Sequence, residues 1–168
     1  MDLPELPAGI RAASHDDVPA ILRLIVALAR HQRSEDQVEA TETGLHTALF
    51  GDEPVAHALV AQADDGGIVG LALYYLTFST WTGRAGIHLE DLFVTAGARG
   101  TGRGEALMSA LARIVAANDL GRLEWDCLEW NTPSIDFYDS LGARTVDGSL
   151  SYRLTGDALS SLAAHQPA

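Results

Sequence analysis

The sequence has little that would support disulfide cross-linking, membrane insertion or export. Its 168 residues include a single cysteine, Cys127, which excludes an intramolecular disulfide and suits a reducing compartment. No run of about eighteen apolar residues is present, so we expect no membrane span. The first ten residues lack the charged start and apolar core of a signal peptide. These features together predict a cytoplasmic protein.

Basic residues are also scarce. Eleven basic residues stand against 23 acidic ones, which gives a formal net charge of −12. This balance opposes non-specific binding of nucleic acid, because that binding depends on neutralising phosphates with basic side chains. An acidic surface would instead attract small cations such as amines. The six histidines show no spacing typical of metal ligands, so we expect no metal.

What the sequence does contain is enough apolar residues, 47%, for one compact domain, and we expect residues 1–168 to form it. Ser14 is a predicted N-cap, with Asp17 three residues later and apolar residues at helical spacing up to Leu28. The whole pattern predicts the order β-α-α-β-β-β-α-β-α-β(-β)-α, a mixed α/β sheet. The strands are predicted at 9–13, 58–61, 68–78, 85–94 and 122–128, with two short segments in 146–154. The other helices are predicted at 41–50, from the glycine loop to about 118, at 133–141 and at 157–164.

Three glycines alternate within the segment Arg99-Gly100-Thr101-Gly102-Arg103-Gly104, between a predicted strand and a predicted helix. Backbone N–H groups in such a turn can converge on one concavity, and the helix dipole adds a partial positive charge. Arg99 and Arg103 would supply full charges nearby. The loop therefore predicts a phosphate-binding site, with an ordinary flexible turn as the alternative.

Two common nucleotide-binding motifs do not fit this loop. A P-loop needs Lys-Ser/Thr after its last glycine, whereas Glu105-Ala106 follows here. A dinucleotide fingerprint needs the spacing G-x-G-x-x-G after the first strand of a βαβ unit. The observed spacing is G-x-G-x-G, and it lies deep in the chain.

At these residues the sequence resembles the GNAT superfamily of acetyltransferases, whose motif Arg/Gln-x-x-Gly-x-Gly/Ala is matched by Arg99-x-x-Gly102-x-Gly104. Blocks at 70–75, 89–94, 129–134 and 136–138 are similar to the diamine acetyltransferase branch. That branch includes spermidine/spermine acetyltransferases and relatives that act on thialysine-type amino acids. The resemblance covers roughly residues 9–155. It implies the GNAT fold: a mixed, mostly antiparallel central sheet, splayed at the cofactor site and flanked by helices.

The resemblance also implies acetyl-CoA as cosubstrate and assigns the residues around it. The backbone amides of the loop would hold the pyrophosphate: Arg99, Gly100, Thr101, Gly102, Arg103 and Gly104. The strand carrying Phe93 and Val94 would bulge and splay from the next strand, leaving a gap for the pantetheine arm. Asn131 and Ser134 would line the other side of the cofactor.

Acyl transfer to a primary amine requires a group that handles the proton of the ammonium and another that protonates the departing thiolate. Glu90, four residues before Val94, fits the first role, acting through an ordered water; a solvated carboxylate or a structural ion pair is the alternative. Tyr138 matches a family tyrosine that serves as general acid, because a phenol can donate a proton to a thiolate. One of Phe137 and Tyr138 must be a core aromatic, and we expect this to be Phe137.

The acceptor amine would be recognised by acidic and aromatic side chains: Glu90, Asp91, Glu35 and Trp81. By strand alternation, Asp91 is expected on the face opposite Glu90 and is the weaker candidate for the base. In polyamine-specific relatives, the region of His31 to Gln37 is more acidic and aromatic than it is in this sequence. A shorter acceptor, such as a short diamine or a lysine-like amino acid, is therefore credible, and Arg33 could pair with a substrate carboxylate.

Two other functions stay open on the sequence alone. The acceptor could be a protein lysine or N-terminus, or the chain could be a coenzyme A-binding sensor without turnover. Members of this branch are commonly homodimers, so the resemblance implies a homodimer. No nucleic-acid or membrane partner is expected.

Overall fold

The computed structural model describes residues 1–146, 148 and 150–165. The chain divides into two compact units, Met1–Asp126 and Cys127–Ala168. Across the described residues, no helix is both long enough and apolar enough to cross a membrane.

The first unit is built on one five-stranded sheet in the order β1-β2-β3-β4-β5. Neighbouring strands are antiparallel except β4 and β5, which are parallel, so the mixed, mostly antiparallel sheet is confirmed. The strands are β1 (Ile10–Ala12), β2 (His57–Gln62), β3 (Ile68–Ser79), β4 (Arg84–Val94) and β5 (Leu123–Trp125). The helices are α1 (Val18–His31), α2 (Glu42–Phe50) and α3 (Arg103–Ala117).

The core of this unit lies between α1, α2 and the sheet. It includes Ile21 and Leu24 from α1, together with Val60, Leu71 and Phe93 from the strands. Fully burying such a side chain contributes about 1.5–3 kcal/mol. Because α1 packs on β3 and β4, this core fixes the strand that carries Glu90.

The start of α1 is held by a buried carboxylate. Asp17 is 6% exposed, and its two oxygens accept hydrogen bonds from Arg11 at 2.6 and 2.8 Å. The backbone N–H and the hydroxyl of Ser14 also donate to it, at 2.7 and 2.9 Å. Ser14 therefore caps the short helical turn His15–Asp17, whereas the N-cap of α1 is Asp17, three residues later than predicted. The contacts to Arg11 tie β1 to this turn.

The second unit contains two helices, α4 (Thr132–Ser140) and α5 (Gly156–Ala163). Gly142, with φ +83°, follows the C-cap of α4 in the left-handed conformation, as predicted for a C′ glycine. Phe137, expected in the core, is half-buried, and α4 contains no buried residue.

Two strand predictions need correction. The strand expected at 122–128 is limited to Leu123–Trp125, because its parallel pairing with β4 stops at Leu89, just before the strand becomes irregular. No strand forms at residues 146, 148 and 150–154; Asp147 and Ser149 lie outside the described residues. The alternating apolar side chains of that segment are exposed, Val146 at 88% and Tyr152 at 91%, so its pattern is not matched by burial.

Candidate active site

Strand β4 carries a β-bulge at Glu90. Tyr74 of β3 is opposite Leu89 and Leu73 is opposite Asp91, which leaves Glu90 as the extra residue without a partner on β3. Bulges of this kind re-aim a side chain and are frequent beside active sites. The Glu90 side chain is 56% exposed. The bulge therefore presents a carboxylate to solvent directly beside the buried Leu89.

Asp91 differs from its neighbour. It is half-buried, and burial followed by repulsion from Glu90 raises the pKa of Asp91 to about 6. Because the bulge interrupts the regular alternation of β4 at Glu90, the exposure of these two side chains is set by the bulge. Adjacent carboxylates in such different environments suit different roles.

An aromatic and charged cluster beside the bulge was missed by sequence reasoning. Tyr75 and His88 are cross-strand partners whose rings stack, with centroids 5.0 Å apart. Burial raises the pKa of Tyr75, as do the charges of Glu90, Asp126 and Glu124. The available signal was that His88 lies two residues before Glu90, and so on the same face of a regular strand.

The glycine loop leads directly into α3. Gly100 and Gly102 have φ of +75° and +80°, and Gly102 is the N-cap of the helix. Thr101 tightens the turn by donating from its hydroxyl to the carbonyl of Ala98 at 2.7 Å. A Cβ added at Gly100 or Gly102 would meet nothing within 4 Å, so lack of space does not explain these glycines. Their positive φ does, because other residues rarely adopt it.

This loop fits a phosphate group. The first N–H groups of a helix have no intrahelical acceptor, and those of Arg103, Gly104 and Glu105 open α3 beside uncrowded space. The Nε of Arg99 donates to the carbonyl of Val94 at 3.0 Å, and its guanidinium carbon lies 5.6 Å from the centre of the Phe93 ring. The structure thus brings together Phe93, Val94 and Arg99 at the start of the loop.

The Arg103 side chain is engaged elsewhere. Its guanidinium lies 3.5 Å from the Asp64 carboxylate, in the turn between β2 and β3, and 3.5 Å from the Ala8 carbonyl. Its contribution at the loop is therefore its backbone N–H more than its charge.

Strand β4 separates from β5 at the bulge. The two strands pair only from Ile87 to Leu89. From Asp91 to Val94, β4 is paired with β3 alone in the described part of the sheet. Backbone groups on the other edge of β4 are consequently left open, which agrees with the splay implied by the resemblance.

The second unit carries the remaining predicted cofactor and acid residues. Asn131 is the N-cap of α4, and its carbonyl accepts from the N–H groups of Ser134 and Ile135 at 3.0 Å each. Burial raises the pKa of Tyr138 to about 12, and the nearby Cys127 adds to this effect. The Phe137 ring lies 5.3 Å from the Tyr138 ring.

Glu35, a predicted acceptor-binding residue just after α1, forms an ion pair with Arg30 of that helix. The guanidinium of Arg30 donates hydrogen bonds to both carboxylate oxygens of Glu35, with Nε to Oε2 at 3.0 Å, and lowers the pKa of that carboxyl. Arg30, Arg33, Glu35 and Asp36 line an open cavity of about 470 Å³. Trp81, in the turn between β3 and β4, is 98% exposed. Glu35 is therefore less available to a substrate cation than its sequence position indicated.

No described part of the chain brings three or more His, Cys, Asp or Glu side chains into an arrangement that could hold a metal ion.

Comparisons with known proteins agree with this architecture. Residues 20–143 match the Acetyltransferase (GNAT) family. Over 164 residues the chain is 36% identical to a thialysine N-epsilon-acetyltransferase of Sus scrofa, covering 92% of this chain and 96% of that protein. It is 34% identical over 151 residues to a spermidine/spermine N(1)-acetyltransferase-like protein of Homo sapiens, covering 86% of this chain and 22% of that protein. An integron cassette protein structure from V. cholerae superposes with a TM-score of 0.76 at 27% identity, covering 93% and 97% of the two chains.

The chain therefore belongs to the GNAT acetyltransferase family. It is an N-acetyltransferase that acts on amines, and its family uses acetyl-CoA.

Proposed function

We propose that this enzyme transfers the acetyl group of acetyl-CoA to a primary amine of a small cationic metabolite, by direct attack of the amine. The observation that carries the proposal is the bulge at Glu90, beside the half-buried Asp91, at the point where β4 and β5 separate. Two carboxylates there can attract an ammonium group to the strand edge that faces the acyl donor.

Glu90 acts as the base, through an ordered water. An alkyl ammonium has a pKa of about 10.4, so exposing its lone pair at pH 7 costs roughly 4.6 kcal/mol. The exposed carboxylate orients that water and stabilises the leaving proton. Asp91 binds the ammonium by charge.

Tyr138 acts as the acid. With a pKa raised to about 12, its phenol stays protonated throughout the physiological range. A protonated phenol can donate to the thiolate that departs from the acetyl group.

Acetyl-CoA supplies an activated acetyl thioester, and the chain contributes its binding groups. The backbone amides from Arg99 to Gly104 hold the pyrophosphate at the start of α3. The open edge of β4 at Phe93 and Val94 pairs with the pantetheine arm, and Asn131 and Ser134 line the cofactor. In this proposal both units form one catalytic domain, since the family match at 20–143 includes residues of each.

The acceptor is a diamine or polyamine, or a lysine-like amino acid such as thialysine. The Arg30–Glu35 ion pair favours the amino acid, because it removes an anion that would hold a distal amine. Arg33 lines the same cavity and can bind a carboxylate. Trp81 can contact the amine through its ring.

A panel assay tests the proposal. Thiol release from acetyl-CoA is followed with thialysine, lysine, ornithine, putrescine and spermidine, and with a lysine peptide as the protein-like acceptor. The chain itself contains no lysine, so self-acetylation is limited to its N-terminus. Turnover of the peptide alone, or of nothing, would overturn the proposal.

Glu90→Gln and Tyr138→Phe are each expected to lower kcat by about 10²–10⁴, because each removes a proton-transfer group. Glu53→Gln and Tyr152→Phe are the matched controls, since both side chains are exposed. Full activity of both Glu90→Gln and Tyr138→Phe would show that Glu90 is not the base and Tyr138 is not the acid.

Variants of the α1 cavity test the acceptor class. Arg33→Ala is expected to raise KM for thialysine about tenfold and leave KM for putrescine unchanged. Arg30→Ala releases Glu35 and should lower KM for spermidine. Unchanged amino-acid kinetics in the Arg33 variant would exclude the carboxylate contact.

The enzyme is further proposed to act as a cytoplasmic homodimer. The single free thiol of Cys127 suits a reducing compartment. Large apolar side chains of the second unit, such as Leu150 and Leu162, are exposed and would be covered by association. Light scattering on the purified protein measures the oligomeric state.

A further inference from the structure

A histidine adjoins the bulge and has no part in the mechanism proposed above. His88 lies two residues before Glu90 on β4, and its Nε2 is 4.0 Å from Oε2 of Glu90. The His88 side chain is 18% exposed, against 56% for Glu90. The imidazole is therefore behind the carboxylate that meets solvent.

His88 lies on β4 between β3 and β5. Its ring stacks on Tyr75 of β3 at 5.0 Å and an interplanar angle of 26°. On the other side it is in register with Glu124 of β5. Glu124 is itself held by the hydroxyl of Thr77, which donates at 3.3 Å, and by the Nε of Arg122 at 2.8 Å. The stacked imidazole therefore has Glu90 within ion-pair distance and Glu124 beside it on the next strand.

The surroundings of His88 are negatively charged. The carboxylates of Glu90, Glu124 and Asp126 all act on Tyr75, the stacking partner of His88. Helix α1 packs against β4. Its charged side chains are all exposed to solvent: Arg23, Arg30 and His31. His88 therefore lies among three carboxylates of the sheet, of which Glu124 is paired with Arg122.

We propose that His88 accepts, through Glu90, the proton that the acceptor amine loses during acetylation. The inference rests on the proposed function of Glu90. In water an imidazole accepts a proton about a hundredfold more readily than a glutamate carboxylate. His88 acts through Glu90 and is a positioning residue in this reaction, without contact to the substrate.

The proton balance is complete. The ammonium gives one proton to Glu90 through water. Rotation of the exposed Glu90 side chain closes its 4.0 Å separation from His88 to hydrogen-bond distance, and Glu90 then passes the proton to Nε2 of His88. The neutral amine forms the new C–N bond, the C–S bond breaks, and the thiolate takes a proton from Tyr138. The amide nitrogen loses its second proton, which restores Tyr138, and the imidazolium releases the first proton to solvent.

The experiment measures kcat/KM for the best amine of the panel between pH 5.5 and 9.5 in His88→Gln and His88→Phe. The phenylalanine keeps a ring on Tyr75 and removes the proton acceptor. Both variants should lose about 10–100-fold at pH 7, and the loss should shrink towards pH 9.5, where more of the amine arrives deprotonated. KM for acetyl-CoA should not change.

Added imidazole should restore part of the activity of His88→Ala, and His88→Gln should add little to the loss already caused by Glu90→Gln. His57→Gln is the matched control, because His57 also lies beside a tyrosine, Tyr74, on a neighbouring strand pair at 5.4 Å. It should leave the pH profile unchanged.

Three results would overturn the inference. These are wild-type activity in both His88 variants, a uniform loss with an unaltered pH profile and no imidazole rescue, or fully additive losses with Glu90→Gln. Failure of the wild-type enzyme to acetylate any amine would instead refute the proposed function, so the two failures are distinguishable.

Discussion

The two units of the chain differ in what stabilises them. Every buried apolar side chain of the described residues belongs to Met1–Asp126, where five strands and three helices share a core. In Cys127–Ala168, the helices α4 and α5 contain no buried residue, and Val146, Leu150 and Tyr152 are largely exposed. The proposed base thus stands on a well-packed strand, whereas the proposed acid stands on a helix with little core of its own.

The largest effect is expected from removing core volume in the first unit. Leu111→Ala should lower the free energy of unfolding by about 2–5 kcal/mol, because Leu111 is fully buried in α3. Leu162→Ala, in α5 at 62% exposure, should change it by less than about 0.5 kcal/mol. Urea unfolding followed by circular dichroism measures both. Equal losses would break the comparison between the units.

The next effect concerns the partly buried ion pair between Arg11 and Asp17 at the start of α1. Arg11 and then Ser14 lower the pKa of Asp17 from 3.8 to about 2. A lowered pKa stabilises the fold above pH 3.8, and this stability is lost as the pH falls towards 2. Asp17→Asn should therefore cost about 2 kcal/mol at pH 7 and flatten the acid limb of the stability curve.

The control for that measurement is Asp139→Asn, because Asp139 is exposed on α4. It should change the unfolding free energy by less than about 0.5 kcal/mol. If the Asp17 variant kept the wild-type acid limb, the ion pair would not stabilise the first unit.

The smallest expected effect is on the pH dependence of the reaction, through Asp91 at the amine site and Tyr138 at the thiol site. Because the pKa of Asp91 is raised to about 6, Asp91 loses its charge as the pH falls below 6. KM for the amine should then rise about tenfold between pH 7 and 5, and Asp91→Asn should remove this dependence. Tyr138, with a pKa of about 12, should stay protonated between pH 5 and 7 and should not change the pH dependence of the reaction there.

The raised pKa of Asp91 affects stability in the opposite direction from the lowered pKa of Asp17. A carboxyl with a raised folded pKa is most stabilising below pH 3.8 and loses that contribution as the pH rises through 6. Asp91→Asn should therefore raise the unfolding free energy at pH 8 by up to about 3 kcal/mol, which is the equivalent of a pKa raised from 3.8 to about 6. A less stable variant would show that the carboxylate is needed structurally.

Much of the fold could be predicted because its signals are local. The helical spacing after Ser14 predicts α1, and the alternation at 68–78 and 85–94 predicts the long hairpin of β3 and β4. The segment 146–154 has an equally good alternation, yet its described residues form no strand. Alternation shows which face could be buried, whereas a strand also requires a partner for its backbone.

Sequence reasoning predicted the local features of the candidate site better than the contacts between residues that are distant in sequence. The glycine loop was predicted because its glycines lie close to one another in the sequence, and Gly100 and Gly102 adopt positive φ there. Glu35 was expected to face a cation from the substrate, and Arg30 occupies it instead. The cluster of Tyr75, His88 and Glu124 depends on registers between three strands, which spacing along one strand does not reveal.

The sequence by itself therefore determined the order of the elements from β1 to α4, the glycine loop at the start of α3 and the family. These depend on short-range propensities and on fixed spacing. Only the tertiary structure decided which residue bulges from β4, how far β5 follows it, and which charges meet at Asp91 and His88. Register, burial and the pairing of distant side chains arise from packing, and they set the exposure and the pKa of each group at the site.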